Sequence, residues 1–168
     1  MTPNPDDIAH VTAEGVLRFR GQTLRCALGR GGVSTRKHEG DGATPAGFLA
    51  LERVLWRADR GPKPACVVPV APIAPGDGWC DDPLHGDYNR PVTLPHPARH
   101  EILWRDDGVY DVIGVLGWNV SPIERGRGSA IFLHIARPGL PPTEGCIALP
   151  ERELRALLAQ GLRGFQVG

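Results

Sequence analysis

Cys146 and His134 are the two residues whose types and spacing suit covalent chemistry. Cys146 follows Gly145 in Thr143-Glu144-Gly145-Cys146, shortly before a segment that reads as a helix. In such a place, backbone N–H groups and the helix dipole can lower a thiol pKa and stabilise an oxyanion. His134 lies upstream, at the end of an apolar run. It is placed to take the thiol proton and later to protonate a leaving amine. The same two residues also fit a bland reading, an inert apolar cysteine and a core histidine, because buried free cysteine is common.

The elements that must hold this pair are short. Val16 to Arg20 and Thr23 to Leu28 flank a Gly21-Gln22 turn and read as a hairpin, with Leu24, Cys26 and Leu28 on one face. Gly29 to Gly42 is a polar, glycine-rich loop that includes His38, and Phe48 to Trp56 is a strand. Glu101–Arg105 and Val109–Ile113 flank Asp106-Asp107-Gly108, the pattern of a second hairpin. Ala130 to Ile135 suits a buried central strand with His134 near its end. Glu151 to Gln160 reads as a helix, preceded by Pro150, acidic in its first turn and stopped by Gly161, which puts Cys146 in the loop feeding it.

Composition narrows the class. The chain has 168 residues, enough for one domain with one core, so residues 1–168 read as a single domain. With 22 glycines and 17 prolines, turns are dense and long helices are excluded. A folded, mainly β protein results. Residues 57–100 are rich in proline and longer than ordinary connections, which marks a lid or an insertion. Nineteen basic residues balance nineteen acidic ones, so no global field draws the protein to nucleic acid or an anionic membrane. No stretch approaches a membrane span, and the N-terminus lacks a secretory pattern. The expected location is therefore cytoplasmic, or periplasmic if a leader has been removed. Cys26, Cys66, Cys80 and Cys146 are widely spaced without a CxxC pair, which favours free thiols and no structural zinc. His96 and His100 stand four apart, but Pro95 and Pro97 oppose the helix that would make them metal ligands. No metal and no cofactor is expected.

With these residues in hand, the chain resembles the L,D-transpeptidase (YkuD-type) catalytic domain, specifically a compact bacterial branch. Its signature is a histidine on a strand, a variable loop, then Ser/Thr-x-Gly-Cys, which His134 and Thr143-Glu144-Gly145-Cys146 match. Thr44-Pro45-Ala46-Gly47-Phe48, Gly78-Trp79-Cys80-Asp81-Asp82-Pro83, Tyr88-Asn89-Arg90-Pro91 and Arg127 to His134 extend the resemblance over nearly all residues after about Glu14. It implies a β-sandwich with a short helix after the catalytic cysteine loop. It also implies a cysteine acyl-enzyme acting on peptidoglycan stem peptides, with Cys146 attacking the bond between a diamino acid and terminal D-alanine. His134 would be the base, and the N–H groups of Gly145 and Cys146 part of the oxyanion hole. Ile135 follows the histidine, so only a backbone group can orient it from there.

Two positions depart from the pattern. Glu144 replaces the usual histidine before Gly-Cys, and Ala148 the arginine or asparagine often found two residues after the cysteine. The substrate must be held otherwise. Arg137, Arg125, Arg127 and Arg90 are candidates, since a guanidinium fork suits a carboxylate, although each is equally readable as a solvated surface arginine. Tyr88, Asn89, Trp118 and Asn119 are expected to line the cleft, beside Thr143 and Glu144. Trp79 and Trp104 read as core residues, and Cys66 and Cys80 as structural thiols.

The expected function is an L,D-carboxypeptidase that trims stem tetrapeptides in murein recycling. The alternatives are an L,D-transpeptidase that cross-links or modifies cell-wall peptidoglycan, and a non-catalytic muropeptide-binding module. The expected partner is a stem peptide or soluble muropeptide, met by a monomer.

Overall fold

The computed structural model describes residues 2–168. After a 3₁₀ turn at Pro5–Asp7 the strands are β1 (Ile8–Val11), β2 (Val16–Phe19), β3 (Gln22–Arg25), β4 (Val33–Ser34), β5 (Thr44–Pro45), β6 (Gly47–Trp56), β7 (Val70–Pro72), β8 (Asp77–Cys80), β9 (Pro91–Thr93), β10 (His100–Ile102), β11 (Val112–Leu116), β12 (Phe132–Ile135) and β13 (Ile147–Leu149). Helix α1 (Glu151–Ala159) and β14 (Gly164–Val167) complete the chain. The fold is mainly β with one short α-helix after the cysteine segment, as expected.

Nine strands form one sheet in the order β13-β12-β11-β6-β14-β1-β2-β3, with β7 beside β6. β6 is the spine: its first half pairs with β14 and its second with β11. Ala27, just past β3, exchanges both backbone hydrogen bonds with Ala148 in β13. The layers expected of a sandwich are thus continuous with one another, and the sheet's two ends meet around a core. That core takes Leu17, Leu49, Val54, Leu133 and Ile147, and α1 caps it with Leu154, Leu157 and Leu158. These leucines recur at helical spacing on one face, which is why so short a helix is stable only when packed.

The β2–β3 hairpin forms with Val16 opposite Arg25 and Phe19 opposite Gln22. The second hairpin does not form. β10 pairs with β8, and β11 with β6 and β12, so the two halves expected to meet belong to different sheets. The Asp106-Asp107-Gly108 turn serves ion pairing instead: Asp107 takes the guanidinium of Arg105 at 3.1 Å and that of Arg137 at 2.8 Å.

Residues 57–100 are built into the molecule. They supply β7 and two strands of the three-stranded sheet β10-β8-β9. Trp79 of β8 packs edge-on against Phe132 of β12, ring centroids 5.2 Å apart, in a second core behind the site. Cys26 and Cys80 are buried, and all four cysteines are free.

Candidate active site

β12 and β13 run parallel, with Leu133 opposite Ile147 and His134 opposite Ala148. Because side chains alternate along a strand, Leu133 and Ile147 enter the large core while Phe132 and Cys146 join the second core on the other side. His134, two residues after Phe132, shares that face. Sequence-distant His134 and Cys146 are thereby placed on one side of one strand pair, and both line a cavity of about 320 Å³.

Cys146 is 8 % exposed. Its Sγ accepts the Phe132 N–H at 3.4 Å and donates its proton to the Ala130 carbonyl at 3.4 Å. Burial pushes the thiol up to about 12, the nearby Glu101 carboxylate adds to the rise, and the Phe132 N–H opposes it. The resting group is therefore a thiol. The helix dipole does not activate it: strand β13 stands between Cys146 and α1, so the cysteine does not lie in a loop feeding the helix directly.

His134 Nδ1 lies 2.9 Å from the Ile135 carbonyl, and a carbonyl only accepts, so Nδ1 carries the ring proton. Nε2 is left as the basic nitrogen. Burial holds the imidazole below its ordinary pKa, so it is neutral at pH 7. Tyr110 meets the ring nearly edge to face, centroids 5.4 Å apart at 70°. The orienting group is thus a backbone carbonyl, which the Ile135 position allows.

The turn before the cysteine is fixed by Thr143. Its hydroxyl donates to the Cys146 carbonyl at 2.7 Å and accepts the Gly145 N–H at 3.1 Å. The Gly145 N–H is therefore engaged, which corrects the expectation that it would face an oxyanion. The Cys146 N–H has no hydrogen-bond partner among the described residues. Gly145 has φ +131°, and a Cβ there would stand 2.8 Å from the Ala43 carbonyl oxygen. Thr44, fully buried in the Thr-Pro-x-Gly segment, accepts the Gly29 N–H at 2.8 Å, and the neighbouring strand segment binds Thr143 through Leu28 and Arg30. That segment acts as a strut for the cysteine turn.

Of the residues expected to contact substrate, Arg137, Thr143 and Glu144 line the cavity. Glu144 is paired with Arg30 at 2.9 Å. The others lie elsewhere, which corrects the sequence-based expectation. Tyr88 is buried and donates to Glu39 at 2.6 Å. Asn89 is buried and uses its whole amide: Oδ1 accepts from Trp79 Nε1 and from the Ala130 N–H, while Nδ2 donates to the Trp118 and Asn119 carbonyls. Asn119 closes the loop from Glu124 to Gly128. Trp118 donates to the Arg127 carbonyl, and Arg127 stacks on its ring. Arg90 and Arg125 are exposed and do not line the cavity. The sequence signals at these positions mark a positioning layer, since Asn89 holds Ala130, whose carbonyl holds the Cys146 proton.

Among the cavity residues that escaped sequence reading are three with polar side chains, Glu101, Arg105 and Tyr110. Tyr110 is buried and donates its hydroxyl to Glu101 at 2.8 Å. Arg105 lies over the Tyr110 ring, 5.1 Å from its centroid. The available signal was parity, because Glu101 and Arg105 have the same parity as Leu103, which is buried, and charges on an inward face are unusual. None of residues 57–100 lines the cavity, so this segment forms no lid over it in this structure.

Outside the cavity, His85, Asp87 and His96 are the one group of three metal-capable side chains that cluster among the described residues. His96 Nδ1 accepts the Ala98 N–H and His85 Nδ1 accepts the Asp87 N–H, which leaves the ring proton of His96 on Nε2, 3.0 Å from Asp87. Donors so committed form a loop clamp. His100 turns to the Ala98 carbonyl and does not join His96.

The family model described as the YkuD L,D-transpeptidase catalytic domain matches residues 8–167. No curated protein matches the chain. No helix among the described residues is long and apolar enough to cross a membrane.

Proposed function

Since the chain belongs to the L,D-transpeptidase catalytic-domain family, a family of cysteine enzymes acting on peptidoglycan, we propose that Cys146 is its nucleophile and His134 its general base. The observation that carries this reading is the shared cavity face of the β12–β13 pair, where thiol and imidazole stand together. His134 Nε2 takes the thiol proton as Sγ attacks the carbonyl of the diamino acid, and the imidazolium returns that proton to the leaving D-alanine amine. The Cys146 N–H is the donor available for the oxyanion. A neutral pair of thiol and imidazole suits transfer concerted with attack, since the low-dielectric site disfavours a standing ion pair.

We further propose that water is the usual acceptor, so that the product is a stem tripeptide and the reaction that of a murein-recycling L,D-carboxypeptidase. A cavity of about 320 Å³ supports this, because it lies at the small end of ligand sites, a size suited to one peptide end. Transfer to an amine shares the acyl-enzyme and forms the second reading. Mass spectrometry of a soluble murein tetrapeptide with wild type and Cys146→Ala, with and without excess D-amino acid, tests both. Loss of one D-alanine with wild type alone supports cleavage, a predominant exchange product replaces water with an amine as acceptor, and turnover by Cys146→Ala refutes the nucleophile.

A further inference from the structure

Besides His134, four acidic or basic residues line the cavity, and three of them touch a residue of opposite charge. Arg105 and Arg137 share Asp107, and Glu144 holds Arg30. Glu101 is the exception: no lysine or arginine among the described residues stands within 4.0 Å of its carboxylate. Oε2 accepts the Tyr110 hydroxyl. Oε1 has no hydrogen-bond partner among the described residues and is not among the sealed-off buried atoms, and Glu101 lines both this cavity and a neighbouring one shared with His100 and Trp104. A largely buried carboxyl that no cation touches is costly to ionise unless something binds it: burial raises the Glu101 pKa, and the Tyr110 hydroxyl and the more distant Arg105 oppose the rise.

We propose that Glu101 is the docking group for a primary ammonium carried by the acyl donor. The inference rests on the cysteine-peptidase reading, which supplies a donor with an amine-bearing side chain. An acceptor amine is not the ligand, because it must attack as the free base, and a carboxylate favours its protonated form. Docking has a second effect. The Glu101 charge opposes a thiolate at Cys146, so a cation that neutralises it makes the nucleophile easier to form once substrate is bound. Binding of the right side chain and activation of the thiol are coupled through one carboxylate.

The test labels Cys146 with methanethiosulfonates carrying an aminoethyl, a methyl or a sulfonatoethyl group. In each case the Cys146 thiolate attacks the sulfenyl sulfur, a disulfide forms and methanesulfinate leaves. Rates are read at Cys146 by peptide mass mapping and normalised to free cysteine. The aminoethyl-to-methyl ratio is expected to exceed that of free cysteine in wild type and in Glu101→Asp, and to fall about tenfold in Glu101→Gln, the size of one charge-assisted contact. A Glu101→Gln ratio within twofold of wild type at unchanged melting temperature overturns the proposal. So does a wild-type ratio no higher than that of free cysteine, which needs no variant to fold. In parallel, a tetrapeptide ending in L-lysyl-D-alanine is compared with its side-chain N-acetyl form, and acetylation is expected to raise KM in wild type only. A charge preference without cleavage of either peptide retains the docking site and refutes the peptidase reading. Equal KM for both peptides with no charge preference refutes the docking site and retains cleavage.

Discussion

The Ala130 carbonyl accepts the Cys146 thiol proton at 3.4 Å. It does so from a residue held at φ +52°, a conformation rare outside glycine. The Phe132 N–H approaches the same sulfur at the same distance. One contact stabilises the thiol and the other the thiolate, and burial decides between them in favour of the thiol.

The pH dependence follows from that balance. Burial raises the Cys146 pKa to about 12, so its alkylation by neutral iodoacetamide is expected to climb about tenfold per pH unit through pH 10, whereas an ordinary cysteine levels off near pH 8.5. A plateau below pH 8 would refute it. Burial lowers the His134 pKa below its ordinary 6.5. A base must be unprotonated to act, so the acid-side midpoint of kcat/KM for tetrapeptide cleavage is expected below that of an ordinary histidine.

Cys146→Ala is expected to abolish cleavage with the melting temperature nearly unchanged, since the site loses only one sulfur atom. His134→Ala is expected to lower kcat by about 10²–10⁴-fold, the usual weight of a positioned base. Steady-state kinetics beside circular dichroism melts distinguish lost chemistry from lost fold.

Gly145→Ala is expected to cost about 2–4 kcal/mol, because φ +131° is a region that only glycine adopts freely and the new Cβ meets the Ala43 carbonyl. Denaturant melts measure this. A variant as stable as wild type would show that the turn can relax.

Asn89→Asp keeps the acceptor for Trp79 and Ala130 but sets a carboxylate oxygen against the Trp118 and Asn119 carbonyls. It is expected to lose about 2–4 kcal/mol, the cost of breaking buried hydrogen bonds. The iodoacetamide rate of Cys146 should change as Ala130 shifts. Lower stability with an unaltered thiol pH profile would confine Asn89 to folding.

Wherever the deciding interactions are local, the sequence by itself determined the outcome. The β2–β3 hairpin, β6, β12 and α1 follow from turn residues and apolar spacing that operate within a few positions of each element. Thr143-Glu144-Gly145-Cys146 and His134 were legible for the same reason, since a turn closed by Thr143 and glycine is a local event. Partners distant in sequence were not. β10 left Val112–Leu116 for β8 because pairing energy accrues with whichever strand the fold brings alongside, and a strong turn signal at Asp106-Asp107-Gly108 does not outweigh two ladders. That choice carried Glu101, Arg105 and Tyr110 into the cavity wall and turned Asn89 from a cleft residue into the support of Ala130. Burial did the rest: a cysteine that local rules would activate is held as a thiol by the core around it, a property no window of sequence contains.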